Sequence, residues 1–411
     1  MQDEAGTNYR WIILSLLFVA TTINYFDRIV ISVLIPEIKK ELNISDISFG
    51  HIISAFQITY TLGFLVTGKF IDWVGTKLGY MLSILFWSIA AAMHSLCGTA
   101  LCLATWRGVL GITESGNFPA AIKSVSEWFP VRERSFATSL FNSGTSISSI
   151  IGPPIIVALA LAADWRWAFF IFGIIGIILV VIWQFTYKKP KQNYNDLSQN
   201  NSLQEKYKWS ILLRHKETYG IMLGKFLTDP VWWFYLYWMP NYLDSQRGFN
   251  LKDIAVAIPL IYTIATLLGF VGGWFPGYLM HRGWSIGKAR KTTMAICALF
   301  LPISATAVIA QNPWVAILLV SLACSAHNGW SANIFTLSSD CFPSRAVGSV
   351  TGLAGFAGGL GGLLIATLAP GYIITYFGYI PIFFLMGILH PLAFLGISLF
   401  IRKVRVIKID D

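Results

Sequence analysis

Apolar residues arrive along the chain in twelve long runs that are separated by short polar breaks. Most runs are roughly 20 residues long, the length that an α-helix needs to cross ~30 Å of hydrocarbon. The pattern therefore predicts an all-α membrane protein with both termini on one side of the membrane. The twelve predicted spans lie near residues 11–35, 47–70, 79–97, 101–122, 135–162, 166–187, 218–243, 254–280, 292–310, 314–338, 347–374 and 381–401.

Composition supports this interpretation. Of the 411 residues, 55% are hydrophobic and 12% are charged, and the mean hydropathy is +0.62. Soluble proteins carry about twice that share of charged residues, so lipid is the expected solvent. The first run contains Asp27 and Arg28 and no small-residue cleavage site follows it, so we expect it to stay in the mature protein as a span.

The positive charges are distributed unevenly between the two faces. The net charge is +10, and Lys and Arg number 22 on the face that holds the termini and the even-numbered loops, against 5 on the opposite face. This asymmetry predicts that both termini lie in the cytoplasm. It also explains the basic balance without nucleic-acid binding.

The five cysteines show no paired spacing and lie mostly in or beside the spans. We expect them to be small core residues, with neither a metal site nor a disulfide framework. No motif for nucleotide hydrolysis or for hydrolase chemistry occurs, so the sequence predicts no enzyme and no cofactor.

A polar segment divides the spans six and six. It predicts three parts: an N-terminal bundle at 1–187, a flexible cytoplasmic linker at 188–216 and a C-terminal bundle at 217–411. The halves echo each other, since Glu127 to Pro130 resembles Asp340 to Pro343. Duplicated halves predict a substrate site between them near the bilayer midplane, exposed alternately to either side.

Ionisable residues inside spans are expensive, at roughly 2.5–3.5 kcal/mol each at a helix centre, unless they face a partner or a water-filled cavity. The set in the membrane interior, away from the span ends, is small: Asp27, Arg28, Arg107, Glu114, Lys225 and Asp229. Arg107 and Glu114 are two helical turns apart and share a face. Asp27 and Arg28 point about 100° apart, so each needs a partner elsewhere.

The first four of these charges sum to zero when ionised and to +1 when either carboxyl takes a proton. An arginine is then free to hold an anion by two parallel hydrogen bonds, which is proton–anion coupling in its simplest form. The alternative is a charge network that only locks helices together. Lys225 and Asp229 are better explained as an intrahelical pair beside the proline break at Pro230.

The chain resembles the major facilitator superfamily over essentially its full length. Gly68-x3-Asp72-x2-Gly75-x-Lys77 matches the loop signature of that superfamily, whose acid and base latch neighbouring helix ends. The resemblance implies twelve helices in two pseudo-symmetric six-helix bundles. In the second half Pro276-Gly277 stands where the acid usually is, so any latch there is weaker.

Further segments resemble the anion:cation symporter family within that superfamily. They are Asn24 to Arg28, Arg107 to Glu114, Ser126 to Pro130, Gly152 to Pro154 and Asp164 to Arg166. Ala326 to Asn333 and the glycine-rich run Gly352 to Gly362 are most similar to bacterial hexuronate transporters. By composition alone the glycine-rich run favours close helix packing rather than nucleotide binding.

The resemblance implies that Asp27 and Glu114 are protonation sites and that Arg28 and Arg107 lie near the anion. Hydrogen bonding or stacking on a sugar ring is expected of Tyr25 and Tyr60. The second half is expected to contribute substrate-binding residues from span 10, although the histidine is equally explained as a hydrogen-bonded interior residue. These residues are His327, Asn328, Trp330 and Asn333.

The sequence therefore predicts a proton-coupled symporter of a hexuronate such as glucuronate or galacturonate, working as a monomer in a bacterial inner membrane. Its partners are a small organic anion, protons and the lipid bilayer. Aldonates, aldarates and aromatic carboxylates remain as alternative substrates. A non-transporting sensor is disfavoured because few residues follow Ile401, and a membrane enzyme is disfavoured because the carboxylates have no nucleophile or metal-ligand set nearby.

Overall fold

The computed structural model describes residues 4–129, 131–188, 209–407 and 409. Residues 189–208, most of the predicted linker, lie outside this part of the chain. Within the described ranges the regular structure is helical, without strands. The helices are α1 (Glu4–Leu42), α2 (Asp46–Val74), α3 (Thr76–Met93), α4 (Ala100–Glu114), α5 (Asn117–Trp128), α6 (Val131–Asn142), α7 (Gly144–Ala162), α8 (Trp165–Thr186), α9 (Trp209–Leu212), α10 (Lys216–Arg247), α11 (Leu251–His281), α12 (Ile286–Phe300), α13 (Ile303–Ala307), α14 (Pro313–Cys341), α15 (Ser344–Gly361), α16 (Ala369–Phe377) and α17 (Tyr379–Phe400).

Eight helical stretches in the described residues are long and apolar enough to cross a membrane by themselves. The other four predicted spans coincide with α2, with α10 and with the helix pairs α4–α5 and α12–α13. The two pairs are interrupted within the run, and α10 carries Lys225 and Asp229 near its middle. The eight stretches are Asn8–Leu42, Thr76–Leu96, Ala137–Ala162, Trp165–Thr186, Leu251–His281, Pro313–Cys341, Ser349–Phe377 and Tyr379–Phe400.

Both interruptions have local causes. Between α12 and α13 stands Pro302, which has no backbone N–H to continue the helical ladder. In the first turn of α5, Pro119 has no N–H to bond the carbonyl oxygen of Ser115, although Ser115 and Gly116 keep right-handed helical dihedral angles. Glu114 is the last residue of α4, directly before this slight break.

The described helices form two compact units. The first comprises Met1–Leu203 with Leu243–Val256, and the second comprises Gln204–Tyr242 with Ala257–Asp411. In the first unit α2 packs on α4, α3 on α8 and α1 on α7, while in the second α14 packs on α12 and α13. The boundary after Leu203 falls inside the predicted linker, whereas the end of α10, the turn that follows and the start of α11 group with the first unit.

Short loops leave helix ends that are capped by neighbouring side chains. The hydroxyl oxygens of Ser45, Thr99 and Ser285 each accept a hydrogen bond from the backbone N–H three residues later. The oxygens of Asp164 and Asn312 accept from the N–H two residues later. These are the residue types that satisfy the unpaired N–H groups of a first helical turn.

The expectation of no disulfide was wrong for one pair of cysteines. Cys97 and Cys102 form a disulfide across the turn from α3 to α4, whereas Cys297, Cys324 and Cys341 are free and buried. This turn lies on the face where Lys and Arg are scarce. The spacing of the two cysteines alone does not predict a disulfide; their position on the face with few basic residues is the additional signal.

Candidate functional site

Three helices of the first unit bring the predicted charged and aromatic residues together. Helix α1 carries Tyr25, Asp27 and Arg28, α2 carries Tyr60, and α4 carries Arg107 and Glu114. Gly111 permits the close approach of α4 to α2, because a Cβ there would lie 2.4 Å from the Phe56 carbonyl oxygen. Small residues are the usual means of bringing membrane helices this close.

Arg28 and Glu114 form an ion pair that is completely buried. Arg28 Nη2 lies 2.9 Å from Glu114 Oε2 and Arg28 Nε lies 3.3 Å from the same oxygen. Both residues have 0% of their surface exposed. Since Glu114 Oε1 has no hydrogen-bond partner among the described residues, one carboxylate oxygen carries the whole interaction. The pair joins α1 to α4 across 86 residues of sequence.

Aromatic rings surround the Arg28 guanidinium. Its central carbon lies 4.4 Å from the ring centroid of Tyr60, 4.6 Å from that of Tyr25 and 5.0 Å from that of Phe56. Desolvated cation–π contacts of this kind contribute on the order of 2 kcal/mol each. The rings therefore stabilise the positive charge even when the carboxylate is not there to balance it.

Arg107 binds the backbone of α1. Its Nη1 donates to the Asp27 carbonyl oxygen at 3.1 Å and its Nη2 to the Arg28 carbonyl oxygen at 3.4 Å. The Asp27 carboxylate points elsewhere, and neither of its oxygens has a hydrogen-bond partner among the described residues. Asp27 and Arg107 are each 1% exposed. Arg107 and Glu114 thus both contact α1 from one face of α4, Glu114 through the Arg28 side chain and Arg107 through backbone carbonyl oxygens.

We call the cluster of Tyr25, Asp27, Arg28, Tyr60, Arg107 and Glu114 the charge cluster. Its four charged side chains are closed to solvent, whereas Tyr25 is half-buried. An anion can reach Arg28 or Arg107 only if side chains or helices of this unit move. Glu114 occupies the Nε and Nη2 edge of Arg28, so a carboxylate approaching that edge would have to displace it.

The four candidates from span 10 make contacts within the second unit. The side-chain amides of Asn328 and Asn333 donate to the carbonyl oxygens of Ala265 and Gly272 on α11, at 3.1 and 3.0 Å. The Trp330 indole N–H donates to the Thr228 hydroxyl on α10 at 3.2 Å. These three side chains therefore join α14 to its neighbours. This structural role is enough to explain why Asn, Trp and Asn stand at these positions.

His327 differs from the other three because its partner is another histidine. Its Nδ1 lies 3.2 Å from Nε2 of His390 on α17. Sequence reasoning missed His390, which stands in the middle of an apolar run directly before Pro391. A search that counted histidines with the other ionisable residues in spans would have found it.

The interpretation of Lys225 and Asp229 as an intrahelical pair is confirmed. Lys225 Nζ lies 2.8 Å from Asp229 Oδ1 and 4.1 Å from the ring centroid of Phe335. Gly358 makes room for the carboxylate, since a Cβ there would lie 2.1 Å from Asp229 Oδ2. The lysine charge is therefore already balanced within the second unit.

The predicted latch surrounds the turn from α2 to α3. Gly75 has a φ of +86° and joins the two helices, and the Lys77 carbonyl oxygen accepts a hydrogen bond from the Trp183 indole at 3.0 Å. The side chain of Asp72 lies outside the described part of the chain. Gly68 is in open surroundings, because a Cβ at this position would have no other atom within 4 Å.

A second carboxylate not singled out as a latch residue is anchored at the same turn. Glu127 of α5 accepts hydrogen bonds from the Thr76 hydroxyl and from the Tyr187 hydroxyl, both at 2.6 Å. It thereby ties the start of α3 and the end of α8 to α5. The sequence contained a signal for Glu127, because it opens the segment Glu127 to Pro130 that is repeated as Asp340 to Pro343 in the second half.

Comparison with known proteins identifies similar proteins over most of the chain. The family model described as Major Facilitator Superfamily matches residues 17–366. A hexuronate transporter of Escherichia coli strain K12 is 31% identical, with 97% of this chain and 96% of that protein covered. A D-galactonate transporter of Escherichia coli O6:H1 is 30% identical, with 90% and 91% covered. The solved structure of a bacterial homolog to the human lysosomal transporter Spinster has a TM-score of 0.79 at 18% identity, with 96% of this chain and 98% of that chain covered.

Proposed function

The chain belongs to the Major Facilitator Superfamily, and on that basis we propose that it is a proton-coupled symporter of a sugar-acid anion that works by alternating access. The all-α fold with twelve membrane helices in two six-helix bundles is confirmed by the solved relatives, and the protein is a transporter rather than an enzyme. Among sugar acids we propose a hexuronate, such as glucuronate or galacturonate. The hexuronate transporter that is 31% identical over 97% of this chain supports this choice.

The observation that carries the proposal is the buried pair of Arg28 and Glu114. A proton on Glu114 removes the negative charge that holds Arg28, and the guanidinium then becomes available to a carboxylate. A substrate carboxylate can replace the single-oxygen contact of Glu114 by two parallel hydrogen bonds. Loss of the proton restores the pair and expels the anion. Proton binding and anion binding are thereby made to favour each other.

Asp27 and Arg107 complete the proposed mechanism. Asp27 is the second protonation site, because its buried carboxylate has no hydrogen-bond partner among the described residues to favour the charged form. Arg107 adds the second positive charge near the anion and exchanges its contacts to the α1 carbonyls for the substrate during the cycle. Tyr25 and Tyr60 line the Arg28 guanidinium and contact the sugar.

For the second unit, we propose His327 as the substrate contact of α14. Asn328, Trp330 and Asn333 were predicted for the same role, and we now propose that they hold α14 against α10 and α11 so that His327 is correctly presented. The conformational latch of Gly68, Asp72, Gly75 and Lys77 remains part of the proposal. Glu127 supports it through the bonds to Thr76 and Tyr187.

The protein is an integral membrane protein, and we propose that it works as a monomer in a bacterial inner membrane with both termini in the cytoplasm. The 22-to-5 distribution of Lys and Arg supports this orientation.

A specific observation favours an aldonate over an aldarate as the alternative substrate. The relative that transports D-galactonate is 30% identical over 90% of this chain. An aldarate carries two carboxylates and needs a second unbalanced cation. The charge cluster has one positive charge in excess when a single carboxyl is protonated, so an aldarate would require both Asp27 and Glu114 to be protonated, since Lys225 is already paired with Asp229.

Counterflow in proteoliposomes tests the substrate. Liposomes loaded with unlabelled glucuronate, galacturonate, galactonate or galactarate receive external labelled glucuronate. We expect labelled glucuronate to accumulate transiently with either hexuronate inside, less with galactonate and not with galactarate. Failure of labelled glucuronate to accumulate with either hexuronate inside would remove the proposed hexuronate substrate, and accumulation with galactarate inside that equals the hexuronate signal would extend the substrate class to the aldarates.

A further inference from the structure

A pair of histidines lies buried in the second unit, apart from the charge cluster. His327 Nδ1 and His390 Nε2 are 3.2 Å apart, and the two rings are nearly perpendicular, with an interplanar angle of 77°. Indole rings enclose the pair. Trp232 lies parallel to His327 at 5.7 Å, and Trp330 meets His390 edge-on at 5.3 Å. The contact joins α14 to α17.

The surroundings determine which nitrogen donates. A neutral pair shares one hydrogen atom, which belongs either to His327 Nδ1 or to His390 Nε2. His390 Nδ1 is fully buried and has no partner among the described residues. If His327 donated, His390 would bury an N–H group with no acceptor, and orphaned N–H groups are rarer in proteins than unpaired acceptors. The favoured assignment is therefore that His390 Nε2–H donates to His327 Nδ1.

This assignment determines what the second ring nitrogen of His327 does. Because Nδ1 accepts, the ring hydrogen of the neutral His327 lies on Nε2, which is therefore a hydrogen-bond donor. His327 is 5% exposed and its Nε2 is not among the fully buried unpartnered atoms, whereas His390 is 0% exposed. The donor edge of His327 therefore borders accessible space, and His390 stands behind it.

The ring of Trp232 stacks on the ring of His327 and is partly exposed. It is parallel to His327 within 19°, and its own orientation is fixed by an edge-on contact with Tyr262 at 5.3 Å. A flat apolar ring next to a neutral donor suits a ligand that has both a C–H face and oxygen atoms. Because the donor is neutral, it matches a hydroxyl or ring oxygen rather than requiring a second carboxylate.

We propose that His390 is a positioning residue that holds His327 as an Nε2–H donor to an uncharged oxygen of the transported sugar acid, beside the ring face of Trp232. The inference rests on the proposed function, since it concerns the same substrate. It adds a determinant of selectivity for the sugar hydroxyls that is separate from the arginines that recognise the carboxylate.

Two substitutions of His390 separate positioning from packing. A glutamine places an amide N–H close to the position of Nε2–H, whereas His390→Leu fills the space without a donor. His94 provides a matched control in the first unit. It is also fully buried and stacked, on Phe169 at 5.1 Å, but its Nδ1 contacts the Ala90 carbonyl oxygen of its own helix at 2.7 Å.

The experiment measures KM and kcat for uptake into proteoliposomes, for the preferred hexuronate and for its single-deoxy analogues. We expect one deoxy analogue to have a KM about 2- to 10-fold higher than the parent in wild type, the range for one neutral hydrogen bond. In His390→Leu the parent KM should rise by that factor and the penalty for that analogue should disappear, with kcat little changed. His390→Gln should restore both, and His94→Gln should keep the wild-type selectivity.

Several results would overturn the inference. One is a His390→Leu protein that retains the wild-type ratio of KM values, and another is a glutamine variant that behaves like leucine. If His390→Leu does not fold, His327→Leu serves instead, because it removes the donor itself and must abolish the same deoxy penalty. Wild-type protein that moves no sugar acid refutes the proposed function together with this inference. If wild-type protein is active but substitutions of His390 raise KM equally for the parent and for every deoxy analogue, this inference alone is refuted.

Discussion

Replacing Glu114 by glutamine isolates the proton step from anion binding. Glutamine keeps the length of the side chain and one oxygen that can accept from Arg28, but it has no charge and cannot titrate. The variant thus imitates the protonated acid permanently. Because Glu114 and a substrate carboxylate compete for Arg28, we expect Glu114→Gln to bind and exchange substrate and to fail at uphill accumulation.

The expected magnitudes follow from the contacts. Breaking a buried ion pair by removing one partner costs about 3–5 kcal/mol, and the remaining amide oxygen and the rings of Tyr25, Phe56 and Tyr60 keep the loss near the lower end of that range. For transport, one pH unit corresponds to about 1.4 kcal/mol per proton. One coupled proton therefore supports about tenfold accumulation in wild type per pH unit, and about none in the variant.

The assay pairs two measurements on the same liposomes, counterflow without a pH gradient and uptake driven by an acidic exterior. Glu41→Gln is the matched control, because Glu41 contacts the surface residue Arg166 at 2.7 Å and lies outside the charge cluster. This control should accumulate substrate as wild type does. If Glu114→Gln accumulates substrate against its gradient to the wild-type level, Glu114 is not the coupling site.

Four further outcomes are expected. Asp27→Asn should also lose pH-driven accumulation while it retains part of its exchange activity, in the same paired assay. Arg107→Lys keeps the charge but not the fork that binds two carbonyls, so titration calorimetry should give a Kd raised about tenfold or more in a folded protein. Cys97 and Cys102 should react with an alkylating reagent only after reduction, as mass spectrometry of intact cells can show, since disulfides persist in oxidising compartments. A tag after Asp411 should bind antibody only in permeabilised cells, and labelling of intact cells would overturn the orientation.

Local patterns predicted the fold well because lipid imposes a simple rule on length and polarity. The runs of apolar residues predicted twelve spans, including the one on α10, which carries Lys225 and Asp229. The interruption after Glu114 was not predicted, although Pro119 was a signal for it. Proline has no N–H to continue the helical ladder, yet the apolar run continues through Pro119 and hides the break.

The sequence predicted which residues belong to the charge cluster but not which of them contact each other. Sequence spacing correctly put Arg107 and Glu114 on one face, and it could not indicate that Glu114 binds Arg28 while Arg107 binds backbone carbonyls of α1. Those contacts depend on how α1 and α4 cross. Intrahelical contacts are different, since the four-residue spacing of Lys225 and Asp229 was enough to predict their ion pair.

The disulfide and the second histidine were missed for a different reason. Predicting the disulfide or His390 requires two features of the chain to be combined. Cys97 and Cys102 flank a turn on the face with few basic residues, which is the face expected to be oxidising. His390 becomes informative only once α17 is known to pack behind His327 on α14.

The central claim is that Glu114 and the substrate carboxylate exclude each other on Arg28 unless a proton intervenes. Proton uptake on substrate binding tests it most directly, with purified protein in detergent, a weakly buffered solution, a pH indicator and added hexuronate between about pH 5 and 8. We predict that wild-type protein takes up protons as it binds hexuronate, and that Glu114→Gln binds hexuronate with distinctly less proton uptake. Tight hexuronate binding by wild type without any proton uptake across this range would contradict the account.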